Sequence, residues 1–376
     1  MAENLVIGGG VFGTGIALEL AKSGRGVRLL EKQKIASGAS GGPGRRGVRA
    51  NGRDVRELPL MKMAYDIWPE LHKDLDADSF FERTGNLLLL EREQDLKSAP
   101  ARVWLQQQQG IPTEFLSFEE LREMEPELDQ RVKAAIFCEK DGVCDHASVT
   151  KALAKKSREY GAQIDENCVA VSLEIQNGRV KGVITNMEEH IQVTGTLFVL
   201  SNSTVSDLIE KHCGVHLPVW NECLQVLITE PIDNFSLRRL VGHAHRTISL
   251  KAENENRVMI SGGWHGLWNE SLCKGTIIQS SVEGNMAEAI SLYPALEKAI
   301  VSSVDCNHLE TMSIDNVPII DRIPGTSNAF FATGWSGHGW AIAPSIIQLL
   351  VEWEFSGKKP VLLQPFGLER FMRVKS

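Results

Sequence analysis

A chain of 376 residues, 43% hydrophobic and 23% charged, has ordinary globular composition and length for two domains or one large α/β body. Its formal net charge of −8 argues against nucleic acid or an anionic membrane as a partner, and no apolar run approaches the roughly 18 residues that cross a bilayer. The seven cysteines (138, 144, 168, 213, 223, 273 and 306) include no CxxC pair; this reads as reduced thiols in a cytoplasmic protein and excludes an iron–sulfur cluster or a cysteine zinc site within the chain.

The N-terminus carries no signal-like stretch and enters a strand almost at once. Leu5-Val6-Ile7 reads as a short buried strand, Gly8 to Gly13 as a turn, and Ile16, Ala17, Leu20 and Ala21 as the apolar face of a helix stopped at Gly24. Val27–Glu31 is a second strand, and residues 37–53 form a basic, glycine-rich loop. A helix is expected over 57–75, a strand over 85–90 and a charged amphipathic helix over 92–109. Further on come a helix from Asp145 to Tyr160, capped by Asp145, and a strand from Gln163 to Leu173. Asn177-Gly178 marks a hairpin, and another strand covers 190–201. Residues 218–263 alternate as strands, helix returns over 276–290, strands follow from about 307 to 333, and a last helix spans 341–355. This order predicts a discontinuous nucleotide-binding domain (1–80, 140–215 and 305–376) with a substrate domain (81–139 and 216–304) inserted into it.

Gly8-x-Gly10-x-x-Gly13 lies between a strand and a helix, and Glu31 ends the next strand about 20 residues on. Gly8 permits the turn, Gly10 admits a pyrophosphate to the backbone, and Gly13 lets helix approach strand. The helix N-terminus, opening at Val11 and Phe12, meets the phosphates. Glu31 accepts ribose hydroxyls and repels a 2′-phosphate. The motif predicts a dinucleotide and leaves FAD and NAD open.

Three further segments extend the pattern. They are Ala36-Ser37-Gly38-Ala39-Ser40-Gly41 running to Gly47-Val48-Arg49, Asp141-Gly142-Val143-Cys144-Asp145, and Asp315 to Asp321 ending in Gly334-Trp335-Ser336-Gly337-His338-Gly339-Trp340. With these the whole chain resembles the FAD-dependent D-amino-acid oxidase, glycine oxidase and sarcosine oxidase superfamily. The resemblance is strongest to the FAD-bearing β-type subunits of heteromeric sarcosine oxidase, proline or hydroxyproline dehydrogenase, opine oxidase and hydrogen cyanide synthase. It implies a Rossmann-like FAD domain of the glutathione-reductase type and a substrate domain with a large mixed β-sheet. It also implies FAD contacts from Lys32, from Ser40, Gly41 and Gly42, from Val169 and Ser201, and from Gly334, Gly337, His338, Gly339 and Trp340. Departures occur at Gly42-Pro43-Gly44-Arg45-Arg46, where the family has Arg-Asn-Gly-Gly, and at Ser201–Ser206, which lacks the family's glycine and tryptophan.

The implied chemistry is hydride transfer from Cα of an amine to flavin, giving an imine that water hydrolyses. A guanidinium matches a carboxylate bidentately, so Arg49 is the favoured clamp, with Arg46, Arg246 and His245 as further catalytic candidates. His243 and His265 are weaker ones, and Trp264 and Trp335 are candidate pocket walls. Some members attach flavin through a cysteine. Here Cys306 stands two residues before His308, and non-covalent FAD is expected. No lysine occurs between Ala252 and Cys273, which favours a dehydrogenase over an oxidase. The leading reading is the catalytic β-type subunit of a heteromeric dehydrogenase for a small amino acid or opine, with a larger FAD-containing α subunit and a small iron–sulfur subunit. No metal is expected. A stand-alone peroxide-producing oxidase and a non-catalytic FAD-holding scaffold are the alternatives.

Overall fold

All four residues of the first strand, Asn4–Ile7, are buried, as happens where both faces of a parallel sheet are covered. In the computed structural model, which describes residues 1–42 and 44–372, this strand sits inside a six-stranded sheet. The order is Ile319–Arg322, Ala329–Thr333, Leu197–Val199, Asn4–Ile7, Val27–Glu31 and Gln163–Glu166. Every neighbouring pair is parallel except the first. The helix Val11–Lys22 covers one face beside the last helix, Gly339–Ser356. Their contact is close because Gly15 has no side chain, and a Cβ there would stand 2.3 Å from Ile347 Cδ1.

A second sheet has eight strands, all antiparallel to their neighbours except Asn86–Leu90 beside Leu240–His243. Its strands come from 86–138 and 226–305. Period-two alternation gives it two different faces. Leu87, Leu89, Ile248, Leu250, Val258 and Ile260 enter a core with the helix Gln279–Leu292, while Asn86, Ser249, Lys251, Met259 and Ser261 line a cavity. The strand Arg45–Val48 pairs with Gly142–Asp145 and carries the basic loop to that cavity.

Three expected elements are broken, each for a local reason. The helix over 57–75 becomes Leu58–Ile67 and Leu71–Asp74, with Pro69, which has no N–H to donate, between the two pieces. The strand over 163–173 splits at Asn167, which is left-handed at φ 61°. Gln163–Glu166 joins the parallel sheet, and Ala170–Gln176 forms a ribbon with Arg179–Thr185. The strand over 190–201 splits into His190–Gln192 and Leu197–Val199, and Gly195 between them donates to the Glu3 carbonyl at 2.7 Å. Asp145 does cap its helix, accepting from Ser148 N at 3.0 Å. Asn177 and Gly178 take φ of 51° and 68°, as a tight hairpin requires. The loop shape expected from Pro43 lies outside the described residues.

Candidate active site

The N-terminal turn is built as its glycines predict. Gly8 takes φ 112°, and a Cβ on Gly13 would lie 1.9 Å from the Gly8 carbonyl oxygen, so only glycine lets helix and strand meet. Gly10 has open space around it. The helix that follows has no side-chain cap and no acidic residue in its first turn, which leaves its N–H groups and positive dipole end facing the adjoining cavity. That cavity, about 400 Å³, is lined by Gly8, Gly10, Val11 and Phe12, and beyond them by Glu31, Lys32 and Ser40. Glu31 Oε2 accepts from Gly9 N at 2.6 Å and Oε1 from Gln33 N at 2.8 Å, fixing the carboxylate at the strand end.

At the far end of this cleft stand Val169 and Ser201. The Val169 N–H donates to Asn186 Oδ1 at 2.9 Å, its carbonyl accepts from Asn186 N at 2.8 Å, and Ser201 Oγ accepts from Thr204 Oγ1 at 2.7 Å. The backbone N–H and carbonyl of Val169, and the Ser201 hydroxyl, thus already have partners within the chain.

The C-terminal glycine loop forms the other end. Gly334, Ser336 and Gly337 all have positive φ (71°, 52° and 77°), which folds the loop back so that the last helix opens at Gly339 with no side-chain cap on its N-terminus. Pro344 is then its sixth residue and removes the bond that Trp340 O would have accepted. The His338 carbonyl accepts from Arg53 Nη2 at 2.7 Å. Arg53 pairs with Glu57 at 2.9 Å, with side chains 2% and 0% exposed. Trp340 packs on Trp68 (ring centroids 5.0 Å) and edge-on to His146 (5.9 Å). Two buried polar atoms of this loop, His338 Nδ1 and Trp340 Nε1, lack hydrogen-bond partners among the described residues. Burial and the neighbouring Arg49 and Arg53 hold His338 well below its usual pKa, so it is neutral.

A second cavity, about 440 Å³, lies against the eight-stranded sheet and shares Ser40, Arg46, Glu310, Gly337 and Trp340 with the first. Glu310 at this junction was not found from the sequence. It accepts from Gly337 N at 2.7 Å and from Ser40 Oγ at 2.5 Å, and burial pushes its carboxyl pKa up. The strand pairing of Asn221–Cys223 with Leu309–Thr311, and the Ser336 N–H donating to the Thr311 carbonyl at 3.0 Å, bring it here, and no motif marks it.

Arg46 bonds the carbonyls of Ser40, Gly42, Gly44 and Arg45, clasping its own loop. Arg49 differs. It donates to Asn51 O at 2.8 Å and, among the described residues, has no carboxylate within ion-pair distance. Burial, with Arg53 nearby, lowers it to about 10. Lys251 Nζ also faces this cavity, bonded to Ser249 Oγ (3.2 Å) and Ser261 Oγ (3.3 Å). It immediately precedes Ala252, where the lysine-free stretch begins.

Other expected residues are placed elsewhere. Arg246 lines the cavity, but its guanidinium is held by Glu91 and by Glu288 at 3.1 Å, so it is no free clamp. His245 is turned out of the cavity wall by Asp95, which meets its Nδ1 at 2.7 Å. Gly42 and Gly334 line neither cavity: Gly42 abuts Asp305 and Gly334 abuts Ser313. Trp335 stacks on Phe12 (4.0 Å, 5°) beside the first cavity, and Trp264 covers Gly284 on a helix. Both tryptophans are therefore absent from the substrate-side wall. Glu91, His243 and His245 come close enough to resemble a metal triad. However, His243 Nδ1 faces the backbone N–H groups of His245 and Arg246, which puts the proton on Nε2 and leaves it no lone pair for a metal.

The residues present fit FAD: two uncapped helix N-termini, the Glu31 carboxylate and two polar atoms unpaired among the described residues surround two adjoining cavities with a shared wall. Residues 4–353 match the model of the family described as FAD dependent oxidoreductase. The chain belongs to that family. This oxidoreductase is 25% identical to the sarcosine oxidase subunit beta of Arthrobacter sp, over 98% of this chain and 90% of that one. It is 26% identical to the glycine oxidase of Bacillus licheniformis, over 93% and 92% of the two chains. The crystal structure of L-proline dehydrogenase from P. horikoshii superposes with a TM-score of 0.88 and 27% identity, covering 98% of this chain and 97% of that one. This confirms the expected FAD domain with a mixed-sheet substrate domain. The enzyme is an FAD-dependent oxidoreductase. Among the described residues, no helix is long and apolar enough to cross a membrane.

Proposed function

We propose that this oxidoreductase dehydrogenates a secondary-amine or D-configured amino acid (an opine, proline, hydroxyproline or sarcosine-like compound). It acts as the FAD-bearing β-type subunit of a cytoplasmic hetero-oligomer with a larger FAD-containing α subunit and a small iron–sulfur subunit. One observation carries this reading: the half-buried guanidinium of Arg49, in no ion pair among the described residues, lining a cavity that shares five wall residues with the FAD cleft. A cation held partly out of water without an ion-pair partner is costly even with Asp141 and Glu57 in its field, and a substrate carboxylate supplies a direct partner. Bound FAD supplies a two-electron hydride acceptor. The chain's part is to hold the carboxylate, exclude water and keep the substrate nitrogen uncharged, so that an imine forms and hydrolyses. The relatives named for sarcosine oxidase subunit beta support the subunit assignment. Non-covalent FAD agrees with the absence of cysteine from the second cavity's wall among the described residues, and Cys306 is buried against Cys223.

Anaerobic titration of the purified yellow protein with a panel of secondary and D-amino acids tests the reading. Bleaching of the flavin by at least one supports it, and failure with every member defeats it. Acid precipitation should leave the yellow colour in the supernatant. A stand-alone oxidase is the second reading, favoured by the Lys251 amine in the cavity. Rapid reoxidation in air without partner subunits would establish it.

A further inference from the structure

Lys251 lies mid-strand, where alternation sends Ile248 and Leu250 into the core and Ser249 and Lys251 into the second cavity. The residue is 6% exposed. An ordinary buried lysine meets a carboxylate, but this one meets two hydroxyls, those of Ser249 and Ser261. Hydroxyls accept from an ammonium and donate to an amine equally well, so they suit a group that changes protonation state. The charges facing it are mostly cationic. Arg46 and Arg49 come from the basic loop, while Glu253, two residues on, is engaged with the Arg45 N–H. On the neighbouring strand His243 is neutral, lowered to about 3, and across the cavity Glu310 is tied to Ser40 and Gly337. Desolvation and the two guanidinium groups lower the lysine to about 7.

An amino acid arrives as an ammonium zwitterion, which has no nitrogen lone pair to form C=N as hydride leaves Cα. A base must therefore act first. We propose that Lys251 is the proton acceptor for the substrate ammonium, its neutral amine taking a proton from the nitrogen of an amino acid whose carboxylate Arg49 holds. The substrate N–H bond breaks and a bond from that proton to Lys251 Nζ forms. The electron pair left on nitrogen becomes the π bond of the imine as the Cα hydride, with its two electrons, passes to flavin. After product release the Lys251 ammonium returns its proton to water. The proposal rests on the amine-oxidation reading above and adds the group that sets its pH dependence.

The test uses the FAD-bound protein in wild-type, Lys251→Met and Lys251→Gln forms. Anaerobic flavin reduction by a substrate amino acid should rise with pH through about 7 in the wild type, as the amine becomes neutral. Both variants should lose that limb, being about 100-fold slower at pH 7 and recovering only as the free ammonium of the substrate itself deprotonates. A variant profile matching the wild type overturns the proposal, as does a change confined to reoxidation by oxygen. Independently, acetylation of Lys251 in the wild-type protein, followed by mass spectrometry across pH, should titrate near 7; titration near 10 overturns the proposal. Flavin that no amino acid reduces would defeat the amine-oxidation reading, and the acceptor role with it, even if the acetylation titration stayed near 7. Bleaching with an unaltered variant profile would remove the lysine alone.

Discussion

Replacing Arg49 by methionine isolates the carboxylate clamp. In the protein this guanidinium donates one bond, to Asn51 O at 2.8 Å, and pairs with no described carboxylate. Its loss therefore removes about 1 kcal/mol of hydrogen bonding, set against relief of a desolvated charge, so thermal stability should stay near wild type or rise. Substrate binding should respond very differently. Truncating one partner of a buried, hydrogen-bonded charge pair costs about 2–5 kcal/mol, which is about 30-fold to about 4000-fold in affinity. Stopped-flow anaerobic reduction separates substrate Kd from the limiting reduction rate, and the loss should fall mainly on Kd. Arg49→Lys should recover only part of it, because an ammonium cannot form the two parallel bonds of a guanidinium. A Kd within twofold of wild type in Arg49→Met, with the flavin still bound, would refute the clamp and the reasoning that a half-buried guanidinium in no described ion pair awaits an anion.

Gly13→Ala and Gly10→Ala should part company. The first puts a Cβ 1.9 Å from a backbone oxygen and the second meets nothing within 4 Å. Gly13→Ala should thus lower Tm and yield, whereas Gly10→Ala should fold normally and bind FAD weakly, read by melting and by flavin fluorescence. Glu57→Ala strips a fully buried partner from Arg53, which holds the His338 carbonyl; about 3–5 kcal/mol of stability should go, with weaker FAD retention, measured by denaturant titration. Asp315 is held at about 2 by Arg370 and Arg56 despite the opposing effect of burial. Since its folded pKa is below the usual carboxylate value near 3.9, its contribution is full above about pH 4 and is lost as pH falls through about 2. Asp315→Asn should lower Tm by about 2 °C at pH 7 and flatten the acid limb of the stability curve, which melts across pH would show.

The parallel sheet, the first glycine turn and the final helix were legible because each has a local signature. These are the three-residue apolar run Leu5-Val6-Ile7, glycines at fixed spacing, and an apolar stretch ended by Gly357 at φ 70°. Arg49 and His338 were placed near the flavin side by their position in loops, and both line the second cavity. Residues whose position depends on pairing between distant strands were not legible. Glu310 reaches the junction through an antiparallel partner about 90 residues away, and Lys251 looks like any polar residue of an alternating strand until the other face is seen to be core. Arg246 and His245 failed for the converse reason. Their sequence neighbourhood is suggestive, but Glu91, Asp95 and Glu288, remote in sequence, already hold them.

The separation of the two glycine loops by more than three hundred residues follows from the sheet order. Ala329–Thr333, Leu197–Val199 and Asn4–Ile7 are adjacent and mutually parallel, so their carboxyl ends share one edge. The connections leaving them, at 334–338, 201–204 and 8–10, must line one crevice there. All three open helices without a side-chain cap, but the one after 204 carries Asp207 in its first turn; the other two have no acidic residue there and pack side by side through Gly15 and Ile347. Two positive dipole ends are thereby fixed along one cleft, near Arg46 and Arg49. Such a field favours a diphosphate at the first end, and at the second the negative charge that a flavin ring gains on reduction.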